Sequence, residues 1–511
     1  MRFGHEVGKV RAAEQALMTR LPDGTLMQRA ATGLAAVCAR LLPRVYGARV
    51  VLLIGSGDNG GDALYAGARL ARRGAAVDAV LAGSKTHQSG LAALRAAGGK
   101  VIDLAGGPAA IGAAELVIDG LTGIGGQGAL REPYATLAAR TAHTSATVVA
   151  CDVPSGVDAG TGQVAGPAIR ADVTVTFGTH KPGLLIDPGA SHCGVVELID
   201  IGLRPELPDP DVVAAWSADI RLPRPGPDSD KYRRGVLGLL AGSEQYTGAA
   251  VLSSGGAVHG GAGMVRFVAV RPVVDLVRQR WPEVVTTVIE RGDTAAALAA
   301  GRVQAWVVGP GLGTDDCAES LVAAALGTDV PVLVDADGLT VLARRRDLLR
   351  RPAPTVLTPH AGELARLLGE GVAREEIEAR RLEHVRRAAA ELSATVLLKG
   401  STTLIAEAGR PVRVNTSGTP WLATAGTGDV LSGLIGALLA GGLASLEAAT
   451  AGAYVHGLAA RLAVAGTDGH GDGGGDGAAP IGASDVITWL PAAIRSLPAR
   501  PARPDRPDLI A

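Results

Sequence analysis

Short apolar runs alternate with helix-length segments along most of this chain, and this alternation limits the fold more than any other feature. In the first half, Arg49 to Ile54 is a continuous apolar strand, Asp62 to Arg73 is a predicted helix, and Ala76 to Ala82 is the next strand. Further strands are predicted at 116–118, 147–150 and 173–177. Strands that alternate with helices form a parallel sheet with helices on both faces.

The same pattern restarts after a proline-rich stretch, which indicates two domains. The weakly patterned segment from Arg204 to Asp230 is the best linker candidate. Beyond it, strands are predicted at 235–241, 265–270, 305–308, 330–335, 355–357 and 395–399. A chain of 511 residues is also too long for one hydrophobic core. We therefore predict an N-terminal domain at 1–215, a linker at 216–228 and a C-terminal domain at 229–500.

The charge balance argues against a protein that binds nucleic acid. The chain has 49 basic and 50 acidic residues and a net charge of −1, and its arginine-rich stretches lie in helix-like segments. Proteins that bind nucleic acid usually carry a basic excess or a basic stripe. We therefore expect no nucleic-acid partner.

Export, membrane and zinc-binding patterns are also missing from the sequence. The N-terminus has no apolar core of a signal peptide, and the apolar stretch Val430 to Leu446 reads as a buried helix because Gly, Ala and Ser dominate it. The cysteines have neither metal-ligand nor disulfide-framework spacing; they are Cys38, Cys151, Cys193 and Cys317. We expect a cytoplasmic protein with reduced thiols, no membrane partner and a Gly- and Asp-rich surface loop at 466–480.

A glycine-rich loop follows the first strand. It reads Gly55-Ser-Gly-Asp-Asn-Gly-Gly-Asp62 and precedes a predicted helix. Glycines here would allow positive φ angles and let backbone N–H groups approach a phosphate at the helix start. The match to a dinucleotide-binding loop is weak by itself, and Asp58 would repel a phosphate.

Polar residues also follow two later strands. Asp119 precedes the loop Thr122-Gly-Ile-Gly-Gly-Gln-Gly128, and Asp152 begins Asp-Val-Pro-Ser155-Gly. In a parallel sheet these positions converge with Asn59 on one cleft. Their oxygen ligands suit an alkali or alkaline-earth cation better than zinc. The alternative is that each residue only caps a helix or a turn.

Together with Thr176-Phe-Gly-Thr-His-Lys-Pro-Gly183 and Leu26-Met27-x-x-Ala30, these motifs resemble the NAD(P)H-hydrate epimerase family over about residues 10 to 215. The resemblance implies a Rossmann-like three-layer αβα domain, a potassium ion at Asn59, Asp119 and Ser155, and Asp152 as catalytic acid or base. The implied substrate contacts are Asp58, Asn59, Gly60, Gly61, Asp62, Gly123, Ile124, Gly125, Gly126, Gln127, Gly128, Ala129 and Asp152. The family usually has Asn where this chain has Asp58, and Gly where it has Ala63.

The second half carries five glycine-rich or polar loops, four of which follow predicted strands. The strongest is Ala425-Gly-Thr-Gly-Asp429, which directly precedes the apolar helix. Backbone N–H groups at such a helix start can bind a transferring phosphoryl group, and Asp429 could act as the base for a hydroxyl in front of it. The alternative is that Asp429 only caps the helix. The other loops are Lys399-Gly-Ser-Thr-Thr403, Thr358-Pro-His-Ala-Gly-Glu363, Gly309-Pro-Gly-Leu-Gly313 and Gly242 to Ala250.

With Lys231-Tyr-x-Arg-Gly235 and Val334-Asp-Ala-Asp-Gly338, these loops resemble the ADP-dependent NAD(P)H-hydrate dehydratase family, which has a ribokinase-like α/β fold, over about residues 225 to 497. The resemblance implies that Asp429 is catalytic, that ADP is the co-substrate, and that Mg²⁺ neutralises phosphate charge. The implied substrate contacts are Ala249, Gly313, His360 and Asp429. The implied nucleotide contacts are Lys399, Gly400, Ser401, Thr402, Thr403 and Gly428.

The two resemblances predict a bifunctional α/β enzyme that repairs hydrated NADH and NADPH (NADHX and NADPHX). The first half would interconvert the R and S hydrates, and the second would dehydrate the S form with ADP, releasing AMP and phosphate. We expect a homo-oligomer. The alternatives are a ribokinase-like kinase for a sugar or vitamin precursor, and a non-enzymatic nucleotide sensor. A sensor would have lost Asn59, Asp119, Asp152 and Asp429, which are all present.

Overall fold

The computed structural model describes residues 1–466 and 478–498. The chain divides into two compact units. The smaller unit contains residues 2–214 and 373–384, and the larger one contains Met1, residues 215–372 and the chain from 385 onward. Most of the expected Gly- and Asp-rich loop at 466–480 lies outside the described residues.

The smaller unit is built around a parallel sheet. Its strands are β1 (Arg2–Gly4), β2 (Arg49–Ile54), β3 (Ala76–Leu81), β4 (Lys100–Ile102), β5 (Leu116–Gly120), β6 (Thr147–Cys151), β7 (Val173–Phe177), β8 (Val195–Ile199) and β9 (Val212–Ala214). Its first six helices are α1 (Val7–Met18), α2 (Thr25–Leu41), α3 (Asp58–Arg72), α4 (Gln88–Ala96), α5 (Gly107–Ala113) and α6 (Tyr134–Thr141). The strand order is β4-β3-β2-β5-β6-β7-β8, all parallel, while β1 and β9 form an antiparallel pair.

Strand β2 shows why this sheet needs helices on both faces. Its alternate residues Leu52 and Ile54 pack in one hydrophobic cluster, whereas Val51 and Leu53 pack in another. Successive side chains of a strand point to opposite faces, so a continuous apolar run must be covered twice. The chain reverses its strand order between β2 and β5, and a crevice opens at the carboxyl ends of such a strand pair.

The larger unit has a second, mainly parallel sheet. Its strands are β10 (Val236–Leu240), β11 (Met264–Ala269), β12 (Val285–Val288), β13 (Ala305–Val308), β14 (Val332–Val334), β15 (Thr355–Leu357), β16 (Thr395–Leu398), β17 (Thr403–Ala406) and β18 (Val412–Asn415). Within this unit the strands run in the order β18-β17-β16-β15-β14-β13-β10-β11-β12. Only the pairs that involve β17 are antiparallel.

Helices flank this second sheet. The helices of the remaining chain are α7 (Thr247–His259), α8 (Arg271–Arg280), α9 (Thr294–Ala299), α10 (Asp316–Leu326), α11 (Asp337–Arg344), α12 (Ala361–Leu368), α13 (Arg374–Ala379), α14 (Arg381–Glu391), α15 (Thr427–Ala440), α16 (Ser445–Ala465) and α17 (Ala483–Ser496). Helix α13 belongs to the smaller unit. The expected α/β class with parallel sheets is confirmed.

Several predicted boundaries are wrong. Helix α3 begins at Asp58 instead of Asp62, so the residues expected in a phosphate-binding loop form the first turn of the helix. Asp119 lies inside β5 and not after it. Strands β12, β17 and β18 were not predicted, because they have only four residues each and carry polar side chains. Strand β9, at Val212–Ala214, was not predicted either, because it lies in the weakly patterned stretch before the predicted linker at 216–228.

The apolar stretch Val430 to Leu446 is also more complex than predicted. It contains most of α15 and the first residues of α16, with Gly441 and Gly442 between the two helices. A positive φ of 90° at Gly442 redirects the chain there. Among the described residues, the helices are all too short or too polar to span a bilayer.

Helices α7 and α15 approach each other closely at two glycines. A Cβ atom added to Gly433 would lie 2.0 Å from the carbonyl oxygen of Ser253, and one added to Gly256 would lie 2.2 Å from that of Val430. Backbone atoms cannot yield as a flexible side chain can. The two helices therefore need glycine at these positions.

We predict that Gly433→Ala destabilises the larger unit by about 1–3 kcal/mol, because the added methyl group separates α7 and α15. All five tryptophans lie in this unit, so their emission during urea unfolding reports it selectively. The matched control is Gly248→Ala in α7, where an added Cβ meets nothing within 4 Å. That substitution is expected to be neutral or to stabilise by less than about 1 kcal/mol. Equal unfolding midpoints for the two variants would contradict the packing argument.

Candidate active sites

A buried carboxylate lies at the crevice of the smaller unit. Asp119, near the end of β5, has no solvent exposure. The backbone N–H and the hydroxyl of Ser155 donate hydrogen bonds to its two oxygens, at 2.8 and 2.7 Å. Burial raises the pKa of Asp119 to about 6, although the bonds from Ser155 oppose this rise. In the described chain, no Lys, Arg or His side chain forms an ion pair with this carboxylate.

Asn59 joins the same cluster through the backbone of Thr122. The Asn59 side-chain amide donates to the Thr122 carbonyl oxygen at 2.8 Å, and the Thr122 N–H donates to Ser155 Oγ at 2.9 Å. The structure thus brings together the three predicted cation ligands, because β2 and β5 are neighbours and end at the same edge. The Thr122 carbonyl is a fourth oxygen that sequence reasoning missed, since a backbone group leaves no residue signature.

Asp152 lies beside this cluster in an unusual backbone conformation. Its φ is +63°, which a residue other than glycine rarely adopts. The Asp152 Oδ1 atom accepts hydrogen bonds from Lys181 Nζ and from Thr176 Oγ1, the latter at 3.0 Å. The Lys181 side chain is only 1% exposed and also donates to the Phe177 carbonyl at 3.1 Å. This buried ion pair holds the Asp152 carboxylate in place.

Lys181 is a functional candidate that the sequence reasoning did not single out. The motif Thr176 to Gly183 contains it, but without a partner the residue could not be told from a surface lysine. Only the fold shows that the turn after β7 returns its ammonium group to Asp152, at the end of β6.

A cavity of about 490 Å³ lies next to the first turn of α3. Asp58 and Asp62 line it, together with Tyr65, His87 and Phe177. Asp62 is 9% exposed, and its Oδ1 atom has no hydrogen-bond partner among the described residues. Burial, reinforced by the charges of Asp152 and Asp58, raises the pKa of Asp62 well above its usual value. An unpartnered carboxyl group facing a cavity can bind a polar ligand.

The glycines at this site serve a different purpose from the one expected. Gly60 and Gly61 do not have positive φ angles; a Cβ atom would instead meet the Gly55 carbonyl at 2.7 Å or the Met27 side chain at 2.9 Å. Close packing therefore requires them. The predicted loop at 123–129 packs closely against Asn59, since a Cβ on Gly123 would lie 3.2 Å from Asn59 Cβ. The residues of this loop are not among those that line the 490 Å³ cavity.

In the larger unit, Asp429 lies in the first turn of α15. Gly426 precedes it with a φ of +89°, which turns the chain into the helix. Burial and the charge of Asp335 raise the pKa of Asp429 to about 7, and Lys399 opposes this rise. A carboxylate with this pKa can accept a proton near neutral pH.

Lys399 points toward the start of α15. Its Nζ atom lies 2.9 Å from Asp335 Oδ1 and 3.8 Å from Glu363 Oε2. A Cβ atom added to Gly428 would lie 3.6 Å from this Nζ, so the ammonium group is adjacent to the first helical turn. Sequence reasoning noted the segment Val334 to Gly338 but gave no role to Asp335.

The other predicted residues of this unit are distributed along the same sheet edge. His360 caps α12, with Nδ1 accepting from the N–H groups of Gly362 and Glu363 at 3.0 and 3.3 Å. The Gly313 N–H donates to Asp337 at 2.9 Å. Ala249 lies close to the loop that follows β13, since a Cβ atom added to Gly311 in that loop would lie 2.8 Å from the Cβ of Ala249. These residues follow β10, β13 and β15, which end at one edge.

The predicted nucleotide loop is a tight turn between β16 and β17. Gly400 and Ser401 lie in the turn, Thr402 is buried, and Thr403 already begins β17. The Thr403 hydroxyl donates to the Gly400 carbonyl at 3.4 Å. The substrate and nucleotide roles of these residues remain predictions.

Comparison with known proteins identifies the family. Residues 23–183 match the family described as YjeF-related protein N-terminus, and residues 237–468 match the NAD(P)H-hydrate dehydratase family. A bifunctional NAD(P)H-hydrate repair enzyme of Mycobacterium leprae is 47% identical over 505 residues, which cover 97% of this chain and 100% of that protein. The chain belongs to the bifunctional NAD(P)H-hydrate repair enzyme family. The resemblance of both halves is thereby confirmed.

Two further relatives of the repair-enzyme family complete the comparison. The Mycobacterium tuberculosis family member is 50% identical over 457 residues, covering 88% of this chain and 91% of its own. A solved structure of the ADP/ATP-dependent NAD(P)H-hydrate dehydratase from Bacillus subtilis, co-crystallised with ATP and Mg²⁺, is 30% identical. It covers 54% of this chain and 95% of its own, with a TM-score of 0.47.

We predict that Lys181→Met destabilises the smaller unit by about 3–5 kcal/mol, because it leaves Asp152 buried without its cation. Urea unfolding followed by circular dichroism measures the loss, while tryptophan emission checks that the larger unit is unchanged. Lys9→Met is the matched control, since Lys9 is 39% exposed in its ion pair with Asp211. It should cost less than about 1 kcal/mol. Similar losses of unfolding free energy in the two variants would show that burial does not make the Lys181–Asp152 pair more important for stability than an exposed pair.

Proposed function

We propose that this chain repairs hydrated NADH and NADPH with two active sites. The smaller unit interconverts the R and S hydrates, and the larger unit dehydrates the S hydrate with ADP, producing AMP and phosphate. The observation that carries the proposal is the 47% identity to a bifunctional repair enzyme over nearly the whole of both chains. The presence of both candidate sites, around Asp152 and around Asp429, agrees with it.

In the dehydratase site, Asp429 acts as the base. It takes the proton of the ring hydroxyl, whose oxygen attacks the terminal phosphoryl group of ADP, and AMP leaves. Phosphate then leaves the ring carbon as a neighbouring carbon loses a proton, which restores the dihydropyridine. Lys399 and the N–H groups at the start of α15 stabilise the charge that develops on the phosphoryl group. Mg²⁺ bound with ADP would supply positive charge that neutralises the phosphate groups.

In the epimerase site, the oxygen atoms around Asp119 suit K⁺. Asn59, Asp119, Ser155 and the Thr122 carbonyl would hold the ion, and a buried carboxylate without a cationic side chain needs such a charge. When bound, K⁺ supplies positive charge at the cleft. Asp152 exchanges protons with the hydrated ring, while its contacts with Lys181 and Thr176 fix the orientation of its carboxylate.

We also propose that the protein works in the cytoplasm as a homo-oligomer. All four cysteines are free thiols, which suits a reducing compartment. The same proposal includes ADP as the co-substrate. The hydrate would contact His360, Gly313 and Ala249, and ADP would bind at 399–403 and Gly428. If no hydrate is repaired with ADP or ATP, a small-molecule kinase becomes the leading alternative.

We predict that the parent protein, given mixed NADH hydrate, Mg²⁺, K⁺ and ADP, restores the absorbance of the whole reduced-nicotinamide pool. Asp429→Ala should abolish recovery, because the phosphoryl acceptor loses its base. Asp152→Ala should recover only the S hydrate rapidly, with the rest following at the slow spontaneous rate. Mixing the two variants restores full recovery if the sites act independently. Complete rapid recovery by Asp152→Ala would rule out its epimerase role.

We predict that epimerisation falls at least about tenfold when choline replaces K⁺, because the buried Asp119 carboxylate loses its counter-ion. Chromatographic separation of the R and S hydrates measures the rate without ADP. Ser155→Ala removes one ligand and should raise the K⁺ concentration needed for half-maximal rate. Thr161→Ala, outside the cluster, serves as the control variant. Equal rates in K⁺ and choline would contradict a potassium site.

A further inference from the structure

Asp335 occupies a buried position between three elements of the larger unit. It follows β14 directly and is 1% exposed. Its Oδ1 atom lies 2.9 Å from Lys399 Nζ, beyond the end of β16, and its Oδ2 atom accepts from Ser432 Oγ in α15 at 2.7 Å. One carboxylate thus connects the lysine of the predicted nucleotide loop with the helix that carries Asp429.

The contacts of Asp335 lie at the N-terminal end of α15. Ser432 lies three residues after Asp429, which places both near one face of the helix. A Cβ atom added to Gly428 would lie 3.6 Å from Lys399 Nζ and 3.9 Å from Asp335 Oδ2. The ion pair therefore packs against the turn at which the phosphoryl group would be transferred.

The backbone fixes Asp335 rigidly. The next residue, Ala336, has a φ of +48°, which is strained for a residue with a side chain. The Asp335 carbonyl approaches Gly309 so closely that a Cβ there would lie 2.1 Å from it, and the Asp335 N–H donates to the Val308 carbonyl at 3.2 Å. Strain of this kind persists where the surrounding structure holds a functional geometry.

We propose that Asp335 is a positioning residue of the dehydratase site: it holds the Lys399 ammonium group and, through Ser432, the N-terminal part of α15 in the arrangement that phosphoryl transfer requires. This inference rests on the proposed dehydratase function. Lysine has a long flexible side chain, and misplacing a charge by about 1 Å can reduce a rate about a hundredfold. Without Asp335, Lys399 would turn toward Glu363 or Asp429.

The charges around Asp429 give the proposal a specific signature. Asp335 from β14 and Asp337 from α11 raise the pKa of Asp429, and Lys399 lowers it. Glu363 in α12 lies beside Lys399, and His456 in α16 contacts the Thr427 carbonyl at 2.9 Å. The base works when ionised, so the rate of the parent protein should rise with pH through about 7. Loss of the Asp335 charge should move this rise to lower pH.

The test uses Asp335→Asn in the full chain with the S hydrate, ADP and Mg²⁺. We expect kcat to fall about a hundredfold, with a smaller change in the KM for ADP. The acidic limb of the pH–rate profile should move to lower pH by about one unit. Adding Lys399→Met to Asp335→Asn should lower kcat little further than Asp335→Asn alone, because the two residues act as one unit. The epimerase rate of the same sample is the internal control, and it should be unchanged.

Each other outcome has a defined meaning. If the parent protein repairs no hydrate, the proposed function fails; if the parent is active and Asp335→Asn matches it in kcat and pH profile, only the positioning role fails. If excess Mg²⁺ restores kcat and the acidic limb of the pH–rate profile has not shifted, Asp335 binds the metal instead, and the proposal is overturned. Should tryptophan emission show that Asp335→Asn is unfolded, Ser432→Ala decides. A lower kcat in that variant supports the role, and an unchanged kcat overturns it.

Discussion

The parallel arrangement of the strands is the constraint on which both sites depend. Parallel neighbours need crossover connections, so the carboxyl ends of successive strands meet at one edge of the sheet. In the smaller unit this brings the helix after β2 to Asp119 at the end of β5. In the larger unit it brings Asp335, after β14, to Lys399, after β16. Residues far apart in sequence become one site because their strands end together.

Each site also contains a lysine–aspartate pair, which is buried at Lys181 and partly exposed at Lys399. Lys181 contacts Asp152 in one, and Lys399 contacts Asp335 in the other. Burying such a pair costs desolvation energy, so it adds little to net stability, but each charge becomes strongly dependent on its partner. The proposed roles differ: in the first pair the carboxylate itself would exchange protons with the substrate, whereas in the second it would set the position of the lysine. Under the proposed function, the same interaction would serve proton transfer in one unit and phosphoryl transfer in the other.

Much of the fold could be predicted from sequence, but the contacts within the sites could not. Strands β2, β7, β13 and β15 have the predicted bounds, because each is rich in apolar and β-branched residues. The predicted start of α3 was wrong, because Gly60 and Gly61 suggest a loop in the sequence but allow close packing in the structure. Asn59, Asp119 and Asp429 were found from the motifs that contain them. The partners Lys181, Asp335 and the Thr122 carbonyl depend on long-range contacts that residue spacing does not encode.

The burial of the cysteines in the smaller unit has a chemical consequence. Cys38, Cys151 and Cys193 are inaccessible, and burial raises the thiol pKa of Cys38 and of Cys193 to about 12 and that of Cys151 well above its usual value. Oxidants attack the thiolate form of an exposed cysteine. These three sulfur atoms remain protonated and shielded, so they behave as small apolar side chains. Peroxide should therefore leave these three thiols unoxidised, including that of Cys151, which contacts the Asn59 carbonyl.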